Sequence, residues 1–137
     1  MKQSQHETVT HPPDAHADER GSIVNVTQGV ELRHVAVITR ARGAVFANHF
    51  HPETTQRMYL INGRYRSVSA PVDADGNVIG EIEEFIVKPG DLTEVGPMVG
   101  HAYEALEDCL FLNLNTTTRE VDGFGEHTKP LPVRLIP

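Results

Sequence analysis

The chain lacks most of the features that identify a protein class from sequence alone. It contains a single cysteine, Cys109, so no internal disulfide is possible. No apolar run is long enough to span a bilayer, and the first residues do not resemble a signal peptide. Lysine and arginine form no basic cluster, and the formal net charge is −7. We therefore expect a cytoplasmic protein that binds a small molecule and neither nucleic acid nor membrane.

The chain also lacks any convincing helical stretch, and short β-strands take its place. About nine segments rich in β-branched and aromatic residues, which include residues 92–95 and 109–115, are separated by Gly, Pro, Asn and Asp. The dipeptide Asn62-Gly63 predicts a hairpin that joins the strand over 56–62 to a partner over 64–72. Residues 31–40 are apolar on both faces of their strand, which favours burial on both sides. The pattern predicts a single all-β domain, a sandwich or a barrel.

The two ends of the chain differ in composition from its middle. Residues 1–20 are polar and charged, and we interpret them as a flexible N-terminal arm. Residues 21–115 form the predicted barrel. Residues 116–137 are irregular and proline-rich, and we expect this C-terminal extension to pack on the barrel or on a partner subunit. A swapped N-terminal strand would cover a sheet edge, so we expect a homodimer.

Three histidines from two segments are candidates for a metal site. His49 and His51 lie two residues apart, and on a β-strand their side chains point to the same face. His101 begins a later strand, and Gln56 offers an amide oxygen as a fourth ligand. Neutral imidazoles suit a borderline divalent metal such as Fe, Mn, Ni or Zn. The alternative is an exposed His49–His51 pair to which His101 is unrelated.

The spacing of these residues resembles the first motif of the cupin family. Five residues separate Gly43 from His49, one separates His49 from His51, four separate His51 from Gln56, and six separate Gln56 from Gly63. A later segment, with the sequence GDLTEVGPMVGH over 90–101, is similar to the second cupin motif. The resemblance covers about residues 31–115 and implies a single-domain cupin-type β-barrel, or jelly roll, with His49, His51 and His101 as metal ligands.

The chain departs from the cupin motifs in three ways. Gln56 stands where the family has a glutamate ligand, which removes a negative charge and leaves a bound metal more electrophilic. In the second motif the spacings around Pro97 differ by one residue, and Ala105 stands where a polar residue is expected. The resemblance therefore supports Gln56 as a ligand less strongly than the three histidines.

A metal in this site would favour one reaction class. A Lewis acid that binds a hydroxyl beside a carbonyl lowers the free energy of an enediolate, which is the chemistry of isomerases and epimerases of sugar-like substrates. Tyr103 lies two residues beyond His101, on the same strand face, and could transfer a proton as a catalytic residue. Val45, Ala47, Met58 and Leu60 are expected as apolar neighbours of the site. If the metal were iron with two open positions, the same site could act as a dioxygenase instead.

A second resemblance points to chemistry without a metal. The segment DERGSI over 18–23 is similar to the opening of cupin enzymes that epimerise or ketoisomerise nucleotide-linked deoxysugars. In those enzymes a histidine and a tyrosine transfer protons without a metal. His49, His51 and Tyr103 are the counterparts that this resemblance implies. The substrate's diphosphate needs cations, for which five arginines are candidates: Arg33, Arg40, Arg57, Arg64 and Arg66.

A third possibility is that the cavity only binds a ligand. A binding site and an active site use the same cavity, so the sequence leaves a non-enzymatic cupin open. Glu53 and Glu94 are further acid–base candidates near the barrel mouth. Our leading expectation from the sequence is a metal-binding isomerase or epimerase acting on a small oxygenated substrate.

Overall fold

Every regular element of the protein is a β-strand within the part of the chain that the structure describes. The structure is a computed structural model, and it describes residues 2–3, 6–119 and 124–137. The all-β prediction is confirmed, and no helix in these ranges is long and apolar enough to cross a membrane. The strands are β1 (Lys2–Gln3), β2 (Glu7–Thr10), β3 (Asp14–Asp18), β4 (Gly21–Val24), β5 (His34–Arg40), β6 (Val45–Phe50), β7 (Gln56–Asn62), β8 (Tyr65–Pro71), β9 (Glu83–Val87), β10 (Leu92–Val95), β11 (Val99–Ala105), β12 (Cys109–Asn115) and β13 (Lys129–Pro130).

Two antiparallel sheets form the body of the protein. The first has the strand order β1-β2-β10-β7-β12-β5, and the second has the order β13-β6-β11-β8-β9. Side chains from both sheets share one core, and these buried members are Val9, Met58, Leu60, Tyr65, Phe85, Val87, Tyr103, Ala105, Cys109 and Phe111. Because apolar side chains alternate along each strand, each sheet turns one face to this core. The result is a small β-barrel made of two sheets.

The turn at Gly63 does not close a hairpin. The strand before it, β7, pairs with β10 and β12, whereas the strand after it, β8, pairs with β9 and β11. The chain therefore passes from one sheet to the other at this point, and the hairpin prediction is wrong. Gly63 has φ +92, and a Cβ there would meet the backbone carbonyl of Asp108. The glycine is thus required by a crossover turn packed against the β11–β12 connection.

Residues of the predicted N-terminal arm belong to the fold. Strand β2 pairs with β10 of the same chain, and both Glu7 and Val9 are buried. Strands β3 and β4 form a separate hairpin with mostly exposed side chains. Residues 7–10 therefore extend the barrel beyond the predicted boundary at residue 21. The homodimer stays a prediction.

The C-terminal residues lie against β6. Strand β13 pairs with the end of β6, and the side chains of Leu131 and Ile136 are buried. Residues 1, 4–5 and 120–123, which belong to the predicted arm and the predicted C-terminal extension, lie outside the described residues. The position of 127–136 matters below, because this segment contacts β6, which carries His49, and also contacts His51 just beyond the end of β6.

Strand β5 forms one edge of the first sheet and is not covered on both faces. Val35 and Val37 are 60% and 69% exposed, whereas Ile38 on the opposite face packs against the core. The prediction that this strand is buried on both faces is therefore wrong.

Candidate active site

The three histidines singled out from the sequence meet inside the barrel. His49 on β6 lies directly opposite His101 on β11, and their ring centroids are 4.7 Å apart. His51 follows the end of β6, and its ring lies 4.9 Å from that of His49 and 5.2 Å from that of His101. The potential ligand nitrogens of the three rings all lie within 4.8 Å of one another. An exposed His49–His51 pair with a distant His101 is therefore excluded.

A β-bulge in β6 brings His49 to this position. Ala47 and Asn48 have φ values of 69° and 60°, and the pairing of β6 with β11 shifts register beside them. The bulge reverses the alternation, so Phe46 points inward and packs on Tyr103, while Val45 is 51% exposed. The sequence prediction of Val45 as an apolar neighbour of the site is therefore wrong, and Phe46 takes that place.

Backbone carbonyl groups fix the tautomers of two of the rings. Nδ1–H of His51 donates to the carbonyl oxygen of His127 at 2.9 Å, and Nδ1–H of His101 donates to that of Val99 at 3.0 Å. The Nε2 atom of His101 then carries a lone pair. This atom is buried and has no hydrogen-bond partner among the described residues. Complete burial, together with the neighbouring His49 and His51, holds the pKa of His101 well below its ordinary value, so the ring is neutral.

The Gln56 side chain joins the cluster from β7. Its Oε1 lies 3.1 Å from Nε2 of His51, and its Nε2–H donates to Oδ1 of Asn113 at 2.9 Å. Both Oε1 and a neutral Nε2 of His51 are acceptors, because Nδ1 of that ring already carries a proton. Two facing acceptors are favourable when they share an electrophile, either a proton or a metal ion. The position of Gln56 thus fits both hypotheses that the sequence left open.

Tyr103 places a phenol beside the imidazoles. Its ring lies 5.4 Å from that of His101, and its side chain is 1% exposed. The hydroxyl group has no hydrogen-bond partner among the residues described. Burial first, and then the charges of Glu7 and Tyr65, raise the pKa of Tyr103 well above its ordinary value. The phenol therefore keeps its proton and is available as a donor to a ligand.

A cavity of about 200 Å³ connects these groups. The imidazoles of His49 and His51, the amide of Gln56 and the phenol of Tyr103 line it together with apolar and hydroxyl side chains. The described residues that line it include no aspartate or glutamate, although the chain has 19 acidic residues against 12 lysines and arginines. The cavity is thus an electrically neutral to positive region of an acidic protein.

The structure shows which of the candidate arginines are paired with carboxylates and which line the cavity, a distinction that the sequence does not give. Four of the five candidates are paired with carboxylates, namely Arg33, Arg57, Arg64 and Arg66. Arg40 lines the cavity and lies over the ring of Phe46, with its Cζ 4.9 Å from the ring centroid. Arg119, which the sequence did not single out, also lines the cavity. Arg40 and Arg119 are therefore the cations available to a ligand in the cavity.

Other sequence candidates lie away from the cavity, and some site residues were missed. Glu94 pairs with Arg57, and the exposed Glu53 does not line the cavity. Asn113, which holds Gln56, was missed, although a polar residue on the inward face of an apolar strand was a usable signal. The backbone carbonyl of His127, which accepts the hydrogen bond from His51, was also missed, because no sequence motif identifies a backbone contact of this kind.

Comparisons with known proteins identify the fold. No protein-family model and no curated protein matches the chain. Among solved structures, dTDP-4-dehydrorhamnose 3,5-epimerase from Sulfolobus tokodaii matches with a TM-score of 0.74 and 16% identity, over 93% of this chain and 78% of that one. The protein has the cupin fold. The predicted jelly-roll barrel is therefore confirmed.

Two further enzymes of similar fold act on related compounds. The sugar 3,4-ketoisomerase QdtA from Thermoanaerobacterium thermosaccharolyticum, in complex with TDP, matches this protein with a TM-score of 0.67 and 16% identity, over 89% of this chain and 88% of that one. A variant of QdtA is known with TDP-4-keto-6-deoxyglucose. The 3'-monoepimerase ChmJ from Streptomyces bikiniensis matches with a TM-score of 0.73 and 16% identity, over 90% and 71% of the two chains. Identities this low establish the fold and not the activity.

Proposed function

We propose that this cupin is an isomerase or epimerase that moves a proton beside the carbonyl group of a nucleotide-linked sugar. One observation carries the proposal: a buried phenol that has no hydrogen-bond partner among the described residues faces the same cavity as an imidazole cluster. Proton transfer next to a carbonyl needs a base at the carbon and a donor for the developing oxyanion or for the carbon itself. The cavity offers both types of group.

The charges around the cavity favour an anionic substrate. Arg40 and Arg119 have no carboxylate partner among the described residues, and the described lining holds no acidic side chain. Guanidinium groups bind phosphate oxygens well because two N–H donors can act together. A cavity of about 200 Å³ is smaller than the roughly 300–1,000 Å³ of pockets that enclose drug-sized ligands. The sugar would occupy the cavity and the nucleotide its mouth, as a dTDP-sugar would require.

The side chains have separate roles in this mechanism. A ring nitrogen of His49 or His51 takes the proton from the carbon beside the ketone, and the C–H electron pair forms the enolate. Tyr103, which keeps its proton, donates a hydrogen bond to the enolate oxygen. In an isomerisation, the proton returns to a neighbouring position of the sugar. In an epimerisation, Tyr103 gives its phenolic proton to the same carbon from the opposite face, and the tyrosinate then regains a proton from water while the imidazolium releases one.

Hydrogen exchange tests this function directly. The protein is incubated in D2O with TDP-4-keto-6-deoxyglucose, and NMR follows the loss of C–H signals beside the ketone and the appearance of products. We expect exchange with the wild-type protein and a fall of about 100-fold or more in Tyr103→Phe and His49→Gln. Tyr59→Phe, on a tyrosine that does not line the cavity, is the matched control. Exchange equal to that without protein, or unchanged in Tyr103→Phe, would contradict the proposal.

A metal-dependent form of the same reaction is the second candidate. It is supported by the lone pair at Nε2 of His101 and by the facing acceptors on His51 and Gln56. Histidine ligands usually donate their other ring N–H to a carbonyl or carboxylate, as His51 and His101 do here. These residues, with His49, fit a borderline divalent ion, and such an ion would supply Lewis-acid stabilisation of an enediolate.

Metal analysis of untagged protein separates the two candidates. In the metal-dependent case, about one ion per chain is retained, His101→Ala loses it while the barrel stays folded, and a chelator abolishes exchange. In the metal-independent case, exchange continues in protein that has been shown to be free of metal. Circular dichroism checks that the His101→Ala barrel is folded.

A further inference from the structure

Left-handed backbone conformations cluster around the histidines. In the described ranges, the residues other than glycine with positive φ are Ala47, Asn48 and Met98. Asn48 immediately precedes His49, and the Met98 N–H donates to the carbonyl oxygen of His51 at 2.9 Å. Such conformations are unfavourable for most residues, and they persist only where the surrounding structure imposes them. Their position beside two of the three imidazoles calls for a physical explanation.

The bulge at Asn48 decides which side chains of β6 face the interior. His49 lies opposite His101, and Ala47 lies opposite Ala102, so Asn48 has no counterpart on β11. In a regular strand, Phe46 and His49 would point to opposite faces, because they are three residues apart. With Asn48 in the bulge, both point inward. The inward positions of Phe46, whose ring packs on Tyr103, and of His49 therefore both depend on this extra residue.

Residues of the C-terminal segment are hydrogen-bonded to the bulge. Asn48 Nδ2–H donates to the carbonyl oxygen of Val133 at 3.1 Å, and its Oδ1 accepts from the N–H of Leu135 at 3.0 Å. The carbonyl oxygen of Asn48 accepts from the N–H of Leu131 at 3.1 Å. The side chain of Leu131 packs in turn on Phe50 and Val72. Asparagine suits this position, because it tolerates the left-handed region and its amide can bond on both sides.

We propose that Asn48 is a positioning residue, which orients His49 through the left-handed backbone conformation of the bulge. The orientation of the ring is a property of the free protein. Only the catalytic consequence rests on the proposed function, so a failure of turnover alone would leave the structural part intact.

Two variants separate the backbone conformation from the side-chain bonds. Asn48→Gly and Asn48→Ala both lose the bonds to Val133 and Leu135, but only glycine adopts φ +60 freely. Asn48→Asp keeps the acceptor for Leu135 and serves as the conservative variant. Asn62→Ala, an exposed asparagine that does not line the cavity, is the matched control.

The main measurement is NMR of histidine-labelled free protein. The readouts are the His49 Cε1–Hε1 shift and the NOE between the rings of His49 and His101. We expect both to be retained in Asn48→Gly and Asn48→Asp and to be altered in Asn48→Ala, with Asn62→Ala unchanged. Unfolding midpoints show whether each variant is folded. Asn48→Ala is replaced if it fails to fold while Asn48→Gly folds. Asn48→Ser then takes its place, because serine also lacks the side-chain NH2 and carbonyl groups that bond to Val133 and Leu135.

Turnover gives the second measurement. With TDP-4-keto-6-deoxyglucose as the probe, we expect Asn48→Ala to lower kcat by about 100-fold with KM nearly unchanged, because a small displacement of a catalytic group acts on the reacting geometry. Asn48→Asp should restore kcat. Unchanged His49 signals in Asn48→Ala, or equal disturbance in Asn48→Ala and Asn48→Gly, would overturn the proposal.

Discussion

A buried carboxyl group on β2 gives a pH-dependent stability that one substitution should remove. Glu7 is 1% exposed, and its Oε1 accepts a hydrogen bond from Oγ of Ser67 at 2.6 Å. Burial raises the pKa of Glu7 from its ordinary 4.5 to about 7, while the bond from Ser67 opposes that change and the charge of Glu83 adds to it. Between about pH 4.5 and pH 7, the folded protein therefore holds a proton on Glu7 that the unfolded chain has released.

The size and sign of the effect follow from the two pKa values. The folded value of about 7 and the unfolded value of 4.5, at about 1.4 kcal/mol for each pH unit between them, give about 3 kcal/mol. This stability is fully present below pH 4.5 and is lost as the pH rises through about 7. Glutamine has nearly the same shape as protonated glutamate and carries no charge. Glu7→Gln should therefore match the wild type near pH 4.5 and exceed its unfolding free energy by up to about 3 kcal/mol near pH 8.

Denaturant unfolding at several pH values measures this difference. The unfolding free energies of wild type and Glu7→Gln are compared at about pH 4.5, 6, 7 and 8, so that contributions from all other groups cancel. Glu31→Gln, at a side chain that is 75% exposed, is the control for replacing a glutamate at the surface. A difference for Glu7→Gln that stays constant with pH, or a variant less stable than wild type at pH 8, would refute the reasoning.

Three further substitutions test the site. Tyr103→Phe removes a buried hydroxyl group that has no partner among the described residues, so the unfolding free energy should stay the same or rise by up to about 1 kcal/mol; a loss above about 2 kcal/mol in denaturant unfolding would contradict this. Ala47→Gly should raise the thermal midpoint, with a gain of about 1 kcal/mol, because glycine adopts the observed φ of 69° without strain; a lower midpoint would contradict the strain. Gln56→Glu adds a carboxylate that would face both His51 and Oδ1 of Asn113. It should strengthen binding of a divalent ion, measured by calorimetry, only if the metal-dependent candidate is right.

Three strands were predicted with the observed bounds. The predicted and observed ranges agree at Gln56–Asn62, Leu92–Val95 and Cys109–Asn115. In each, turn residues flank the strand, and alternate side chains are buried at least over part of its length. Local signals do not say which strands pair, however, and the turn after Asn62 leads to the other sheet. Local sequence was thus sufficient to predict where these strands lie, but not which strands they pair with.

The N-terminal strand could not be predicted, because its stability comes from distant residues. Strand β2 has one apolar residue, Val9, and a buried carboxyl group at Glu7, so its composition resembles that of a solvated arm. Its pairing partner, β10, lies more than 80 residues away in the sequence. Hydrophobic patterning detects a strand by the face that it buries, and a short strand with a protonated, hydrogen-bonded carboxyl group gives almost no such pattern.

The candidate site was predictable in its ligand-type residues but not in the surroundings that control them. The resemblance of the spacings around His49, His51, Gln56 and His101 to the two cupin motifs implied that the imidazoles meet. The inversion that exposes Val45 and turns Phe46 toward the core was not predictable from alternation, because one bulge residue reverses every assignment before it. The signal that could have revealed it was Asn48, since asparagine in the middle of an apolar strand favours a left-handed conformation.

The electrostatics of the cavity connect these observations. An acidic chain would ordinarily repel a sugar nucleotide, yet the cavity combines imidazoles, an amide in place of a carboxylate at Gln56 and the guanidinium groups of Arg40 and Arg119. A glutamate at position 56 would add a negative charge to the lining of the cavity, which would oppose the formation of an oxyanion there. In the metal-independent mechanism Gln56 is therefore favourable by itself, whereas a metal ion there would lose a charged ligand. For this reason the departure at Gln56 favours proton transfer by the histidines and Tyr103 as the leading hypothesis.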